Sequence, residues 1–374
     1  MVDYVECYPE YLELEDQMRY LITILKFSFL KINFLHGFEE YILPILQIYA
    51  LISTVFSMVI YDRNVTLFGI NSLTICAILQ LLSKMYSTVF KTNDINELFL
   101  FIQQVHQVHK IEFKTHFIAT DLEKILRIIK LVLRKFLIPV WGISGFAFNL
   151  YCMYYDIILF SIPGIVPQDT QRSVYQHIHQ FVVMLQLHIN LVVVDVILIT
   201  FGLYFVAITN IFDHMIRNLD NLDPSNITSY LVYIYEFHCK LLKRYEILNE
   251  VFGYVFTIQT ATSVVFILFM IFLLRGDEFM VFVPLSMAIF TQFGIFCIFG
   301  EFLFSKTEGI ATEIYQSKWY EFSIKEQKML LMMMYMAKRP FALKAAGMYN
   351  VNLLMFIQVF KAGFSFCALL YTFA

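Results

Sequence analysis

Apolar residues run along this chain in long blocks, separated by shorter polar or charged joints. A block of about 20 apolar residues is long enough to cross the hydrocarbon of a bilayer as a helix. Seven such blocks are present, at about 41–61, 65–90, 134–158, 176–210, 251–274, 279–304 and 347–372. Two joints are tight and polar: Asp62-Arg63-Asn64 after the first block, and Arg275-Gly276-Asp277-Glu278 after the fifth. The longer joints have a pattern of their own. Residues 94–135, 229–250 and 306–337 alternate apolar and charged positions at helical spacing, with few Gly or Pro. They predict helices that extend below the membrane, packed into a bundle or lying on the lipid. Residues 20–31, YLITILKFSFLK, suit the second role. Pro163, Gly164 and Pro167 before the fourth block predict a short ordered lid or turn.

The last block carries a sparse polar stripe. At about 100° per residue, Leu354, Gln358, Lys361, Ala362, Ser365, Leu369 and Thr372 fall on one face. Phe356, Phe360, Phe364 and Cys367 fall on the other. Polar groups in hydrocarbon are costly, so the stripe should turn away from lipid. A water-lined pore and a buried helix–helix seam both meet that condition.

Composition settles the class. The chain is 59% hydrophobic and 15% charged, where globular chains are roughly 45–50% apolar and about 25% charged. The expected fold is therefore an all-α polytopic membrane protein. The expected parts are an N-terminal cytoplasmic or interfacial segment (1–40), a six-helix transmembrane region with helical extensions (41–304), an anchor helix (305–346) and a seventh helix (347–374). A net charge of -3 gives no bias toward nucleic acid. The 1–40 segment and the three long joints at 91–135, 211–250 and 305–346 hold twenty-two Lys and Arg, against three in the joints of the other side. By the positive-inside rule this puts the N-terminus in the cytoplasm and, with seven spans, the C-terminus outside. The sequon at Asn64 would then face outward, close to the membrane, and the one at Asn226 inward. Six scattered cysteines form no CxxC pair, and no metal site or disulfide framework is expected.

No HExxH, P-loop or GxSxG motif is present, and no cofactor is implied. The close histidines His106 and His109, and His177 and His179, read as ordinary polar side chains. Asp195 lies mid-block in LVVVDVILIT, either as a functional carboxylate or as a hydrogen-bond partner for a neighbouring helix. Glu301 closes the sixth block, where an ion pair is the expected role. The outer halves of the helices are rich in aromatic residues and Met. Phe68, Asn71 and Ser72, then Phe148, Tyr151 and Tyr155, then Met184 and His188, then Met287 and Phe290 are the candidate lining of a pocket for a small apolar ring. Ordinary helix packing and interfacial aromatic belts generate the same residue types.

From Cys297 onward the chain resembles the C-terminal signature of insect odorant receptors. The run is Cys297, Gly300, Glu301 and Leu303, then Ala311, Tyr315, Trp319 and Tyr320, then Arg339-Pro340, Leu343, Ala345 and Gly347. It ends on Asn352-Leu353, Phe356, Val359, Lys361, Phe364-Ser365 and Leu369-Leu370. Lys338-Arg339-Pro340 stands where Gln-Lys-Pro is commoner in that family. The T-Y-x5-Q-F motif of the sister gustatory receptors is absent.

The resemblance implies an odorant-gated, non-selective cation channel in the dendritic plasma membrane of an olfactory neuron. A tuning subunit there forms a heterotetramer with a shared co-receptor, Orco, and its ligand is a small volatile. The short joint between the fourth and fifth blocks marks this chain as a tuning subunit. The resemblance further implies a pore lined by Gln358, Lys361, Ala362, Ser365 and Leu369. It implies an anchor and subunit contacts that include Trp319, Tyr320, Arg339 and Pro340. A G-protein-coupled receptor is the alternative receptor class, opposed by the charge asymmetry and by missing D-R-Y and N-P-x-x-Y motifs. A gustatory-type channel, or a membrane enzyme or transporter, completes the alternatives.

Overall fold

The computed structural model describes residues 4–26, 38–61, 65–107, 113–165, 170–221, 226–273 and 279–373. Asn64, His109 and the two tight joints lie outside the described residues. Among those residues the chain forms eleven α-helices: α1 (Tyr8–Leu25), α2 (Glu39–Tyr61), α3 (Val65–Met85), α4 (Thr92–Val105), α5 (Phe113–Leu131), α6 (Ile138–Tyr154), α7 (Thr170–Arg217), α8 (Ile227–Leu273), α9 (Phe279–Gln316), α10 (Ile324–Ala337) and α11 (Leu353–Phe373). Six helical stretches are long and apolar enough to cross a membrane, and α11 adds a shorter apolar one, Leu353–Leu369.

Helix length explains the extensions. At 1.5 Å per residue, the 48 residues of α7 and the 47 of α8 each reach on the order of 70 Å. A bilayer core takes up only about 30 Å of that. α7, α8 and α9 therefore run unbroken from the apolar blocks into the amphipathic joints. α5 and α6 are also continuous, through a π-helical turn at Val132–Leu137. Pro139, in the first turn of α6, has no N–H for the carbonyl four residues back, and the wider turn absorbs that loss.

Two cores result. The larger gathers Phe99, Phe201, Phe205, Phe212, Tyr245 and Phe252 at the basic end, where the extensions meet. The smaller gathers Phe148, Phe160, Met184, Phe266 and Met270 at the opposite end. α1 docks into the larger core instead of presenting its apolar face to lipid. Tyr11, Met18 and Leu25 recur at helical spacing and are buried. The Tyr11 ring stacks on His106 at 4.5 Å. Glu15, also buried, accepts hydrogen bonds from Arg19 at 2.8 Å and from Gln103 at 2.9 Å. Residues 27–31 of the expected interfacial stretch lie outside the described residues.

Two block boundaries shift. α6 stops at Tyr154, short of 158, because Asp156 takes a left-handed backbone (φ 52°) and turns the chain. The seventh block opens with a hairpin, in which strand β1 (Lys344–Ala345) pairs with β2 (Tyr349–Asn350), and α11 starts only at Leu353.

A candidate ligand cavity and the last helix

The segment after α6 folds into the bundle as a plug. Leu159, Phe160 and Ser161 are fully buried, so their backbone groups need partners. Gln180 of α7 supplies two: its carbonyl oxygen accepts from Leu159 N at 2.5 Å and from Phe160 N at 3.2 Å. Its amide nitrogen donates to the Ile157 carbonyl at 3.0 Å. Gln176 accepts from Ile162 N at 2.8 Å. Ser53 and Ser57 of α2 donate to the carbonyls of Ser161, at 2.7 Å, and of Ile158, at 2.5 Å. His179 bonds Tyr49 at 2.8 Å, and His177 bonds Asp156 at 2.6 Å. Both histidines are thus structural partners of the plug. Among the described residues no group of three potential metal ligands occurs.

Beneath the plug lies a cavity of about 110 Å³ between α3, α6, α7, α8 and α9. Its walls are apolar, with Leu73 and Ala77 of α3, Trp141 and Phe148 of α6, Met184 and Leu191 of α7, and Phe266 of α8; Phe160 of the plug roofs it. An apolar cavity of roughly 150 Å³ takes up benzene, so this somewhat smaller volume limits the occupant to about one small ring. Gly145 gives His188 its place in the wall, since a Cβ at residue 145 would lie 2.3 Å from the imidazole ring.

The far end of the cavity rests on charge. Lys84 of α3 and Asp195 of α7 form an ion pair at 2.5 Å, both fully buried. Gln292 of α9 donates to the second carboxylate oxygen at 3.0 Å, and the Lys84 ammonium sits over the Phe296 ring at 5.7 Å. Unpaired, either ion would be strongly unfavourable in this medium. Paired and hydrogen-bonded, they pin three helices together. Gln292 and Gln80, one turn from Lys84, face the cavity.

α9 carries this end of the cavity to α11. Phe290 and Phe293 pack on Phe360 and Phe356 at 5.0 and 5.7 Å. Lower down, Gly300 lets the α9 backbone meet the chain entering α11, where a Cβ would fall 1.7 Å from the Val351 carbonyl oxygen. Glu301 accepts from Leu353 N at 3.4 Å and Asn352 from Met355 N at 2.9 Å, which together cap the α11 N-terminus. Glu301 thus acts as a cap, not as half of an ion pair among the described residues. The other face of α11, with Gln358, Lys361, Ala362, Ser365 and Leu369, is exposed on the single chain, and so is Phe364. The side chain of Thr372 lies outside the described residues.

Of the expected pocket residues, Phe148, Met184 and His188 line the cavity. Tyr151 is buried behind Phe148, 6.4 Å away ring to ring. Asn71 is fully buried, its amide without a hydrogen-bond partner among the described residues. Ser72 bonds its own helix at Phe68. Phe68, Tyr155 and Met287 are exposed, and Phe290 faces α11. At the basic end, Trp319 packs on the larger core and Pro340 is half-buried, while Tyr320 and Arg339 are exposed. The sequence reading passed over Lys84, Gln80 and Gln292. The signal was available, because a polar residue inside an apolar block marks a site whichever residue it is.

A family model described as 7tm odorant receptor matches residues 64–364. The chain belongs to that family. Odorant receptor 30a of Drosophila melanogaster is 21% identical over 176 residues, 46% of this chain and 47% of that one. This match spans about half the length of the fly receptor. Two solved structures share the fold. The olfactory receptor OR5 of Machilis hrabei in complex with eugenol covers 98% of this receptor and 100% of its own chain, at TM-score 0.81 and 15% identity. OR5 without that compound covers 96% and 99%, at TM-score 0.76 and 16% identity. The receptor is a multi-pass membrane protein of a chemosensory family, which sets the membrane-enzyme reading aside.

Proposed function

We propose that this receptor is the odorant-binding subunit of a heteromeric, odorant-gated cation channel. The observation that carries the reading is the apolar cavity whose α9 wall packs directly on α11, a helix with an exposed polar face. A small aromatic volatile fills the cavity. It opens the channel only as far as it binds the open arrangement more tightly. The shift passes through Phe290 and Phe293 to α11, whose Gln358, Lys361, Ala362, Ser365 and Leu369 face a central path. The solved relative is described as a complex with eugenol, which supports an odour-sized ligand. The charge asymmetry supports a cytoplasmic N-terminus. The exposed Lys361 supports pairing with a different subunit, Orco, because four lysines around one path would repel cations. The site of action is the dendritic plasma membrane of an olfactory neuron.

The test is whole-cell current in response to small volatiles, with a G-protein blocker inside the cell. The receptor is expressed alone and with an insect co-receptor. Fast cation current only in the pair is the expected result. A second-messenger response that the blocker removes would overturn the channel reading.

A further inference from the structure

Apart from a covered indole N–H, the polar atoms of the cavity lining share one polarity. Gln292 bonds a carboxylate that can only accept, so it must present its amide nitrogen to Asp195 and turn its carbonyl oxygen away. Gln80 donates its nitrogen to the Thr262 hydroxyl at 2.6 Å, and that hydroxyl spends its own proton on the Ile258 carbonyl. His188 Nδ1 lies 2.8 Å from the Met184 carbonyl and so donates its proton there, while the Nε2 edge of the ring packs on Gly145. The hydroxyls of Ser144 and Thr74 likewise donate to the backbone of their own helices, at Trp141 and Ile70. The other polar atom of the lining, the Trp141 indole nitrogen, is a donor that is fully covered and has no partner among the described residues.

We propose that the cavity selects small ring compounds bearing a hydroxyl or N–H donor over ring compounds of the same size that carry acceptors only. Gln292 and Gln80 are the specificity-determining acceptors. The Lys84–Asp195 pair acts as a positioning element that fixes the sense of the Gln292 amide. An ether oxygen brought against this lining would leave acceptor facing acceptor in a dry site, whereas a donor satisfies one of them. The inference rests on the proposed odorant cavity.

Benzyl alcohol and anisole test it, being isomers that differ in the O–H. The purified full chain is titrated with each and the ligand-induced rise in melting temperature is followed. The same titrations are read as current with the co-receptor present. Benzyl alcohol should act at a concentration about tenfold lower, the worth of one good hydrogen bond. Gln292→Leu and Gln80→Leu should shrink that ratio while anisole still stabilises the protein, which also shows that the variants are folded. Equal potency, preference for anisole, a ratio unchanged in both variants, or no stabilisation by either compound would overturn the proposal. A clear preference in melting without current would leave it standing and overturn the gating reading instead.

Discussion

A methyl group at residue 145 would meet the His188 imidazole at 2.3 Å, and that ring borders the cavity. Gly145→Ala should therefore push the ring inward, at a cost of about 1–3 kcal/mol of overpacking. Dose–response curves should show the largest ligands losing the most potency, with surface expression nearly unchanged. His106 makes a different prediction. Burial holds its imidazole down to about 4, against the backbone bond at Ile102 and the nearby Glu15, which both favour the charged form. It is neutral and stacked on Tyr11, and the unfolded chain takes up the proton first. Its contribution is present above the ordinary value near 6.5 and is lost as pH falls from there toward 4. The total is of the order of 3 kcal/mol. Melting temperature against pH should drop over that window and flatten in His106→Phe, which keeps the stacking.

At the scale of elements, the apolar blocks made every long helix legible, because length and hydropathy suffice to identify a membrane span. Which face of each span meets protein was not legible. Both faces are apolar in a bilayer, so Phe68 and Met287 read the same as Phe148 and Met184 until neighbouring helices are placed. The ion pair was hidden for another reason. Lys84 is a single charge in a long apolar run, and its partner lies 111 residues away in sequence. Half of the pair, Asp195, was visible as a misplaced carboxylate. Three helices depend on that pair, and the two substitutions should couple strongly. Lys84→Met alone leaves an uncompensated buried carboxylate, a loss of about 3–5 kcal/mol. Surface expression should collapse. Lys84→Met combined with Asp195→Leu should recover most of it, and failure to recover would show that the pair does more than neutralise itself.

Across the whole molecule, the polar stripe on α11 is exposed on the single chain. Replacing Lys361 with Gln removes a positive charge from the proposed ion path. Calcium permeability relative to sodium should rise in the heteromer, as read from reversal potentials, with odour sensitivity unchanged. Identical reversal potentials would move Lys361 out of the path and into a subunit contact. Part of the signature stretch from Cys297 has a physical reason: Gly300, Glu301 and Asn352 serve the joint between α9 and the chain entering α11.

That joint also bears on how such receptors change their tuning. At Gly300 the crossing of α9 with the chain entering α11 is set by backbone meeting backbone, with no side chain to renegotiate. The cavity, by contrast, is walled by side chains alone, and its residues take no part in the crossing. On the proposed function, selectivity can thus drift by substitutions around Phe148, Met184 and His188 while the α9–α11 crossing keeps its shape. On that reading, a new odour preference requires no new channel.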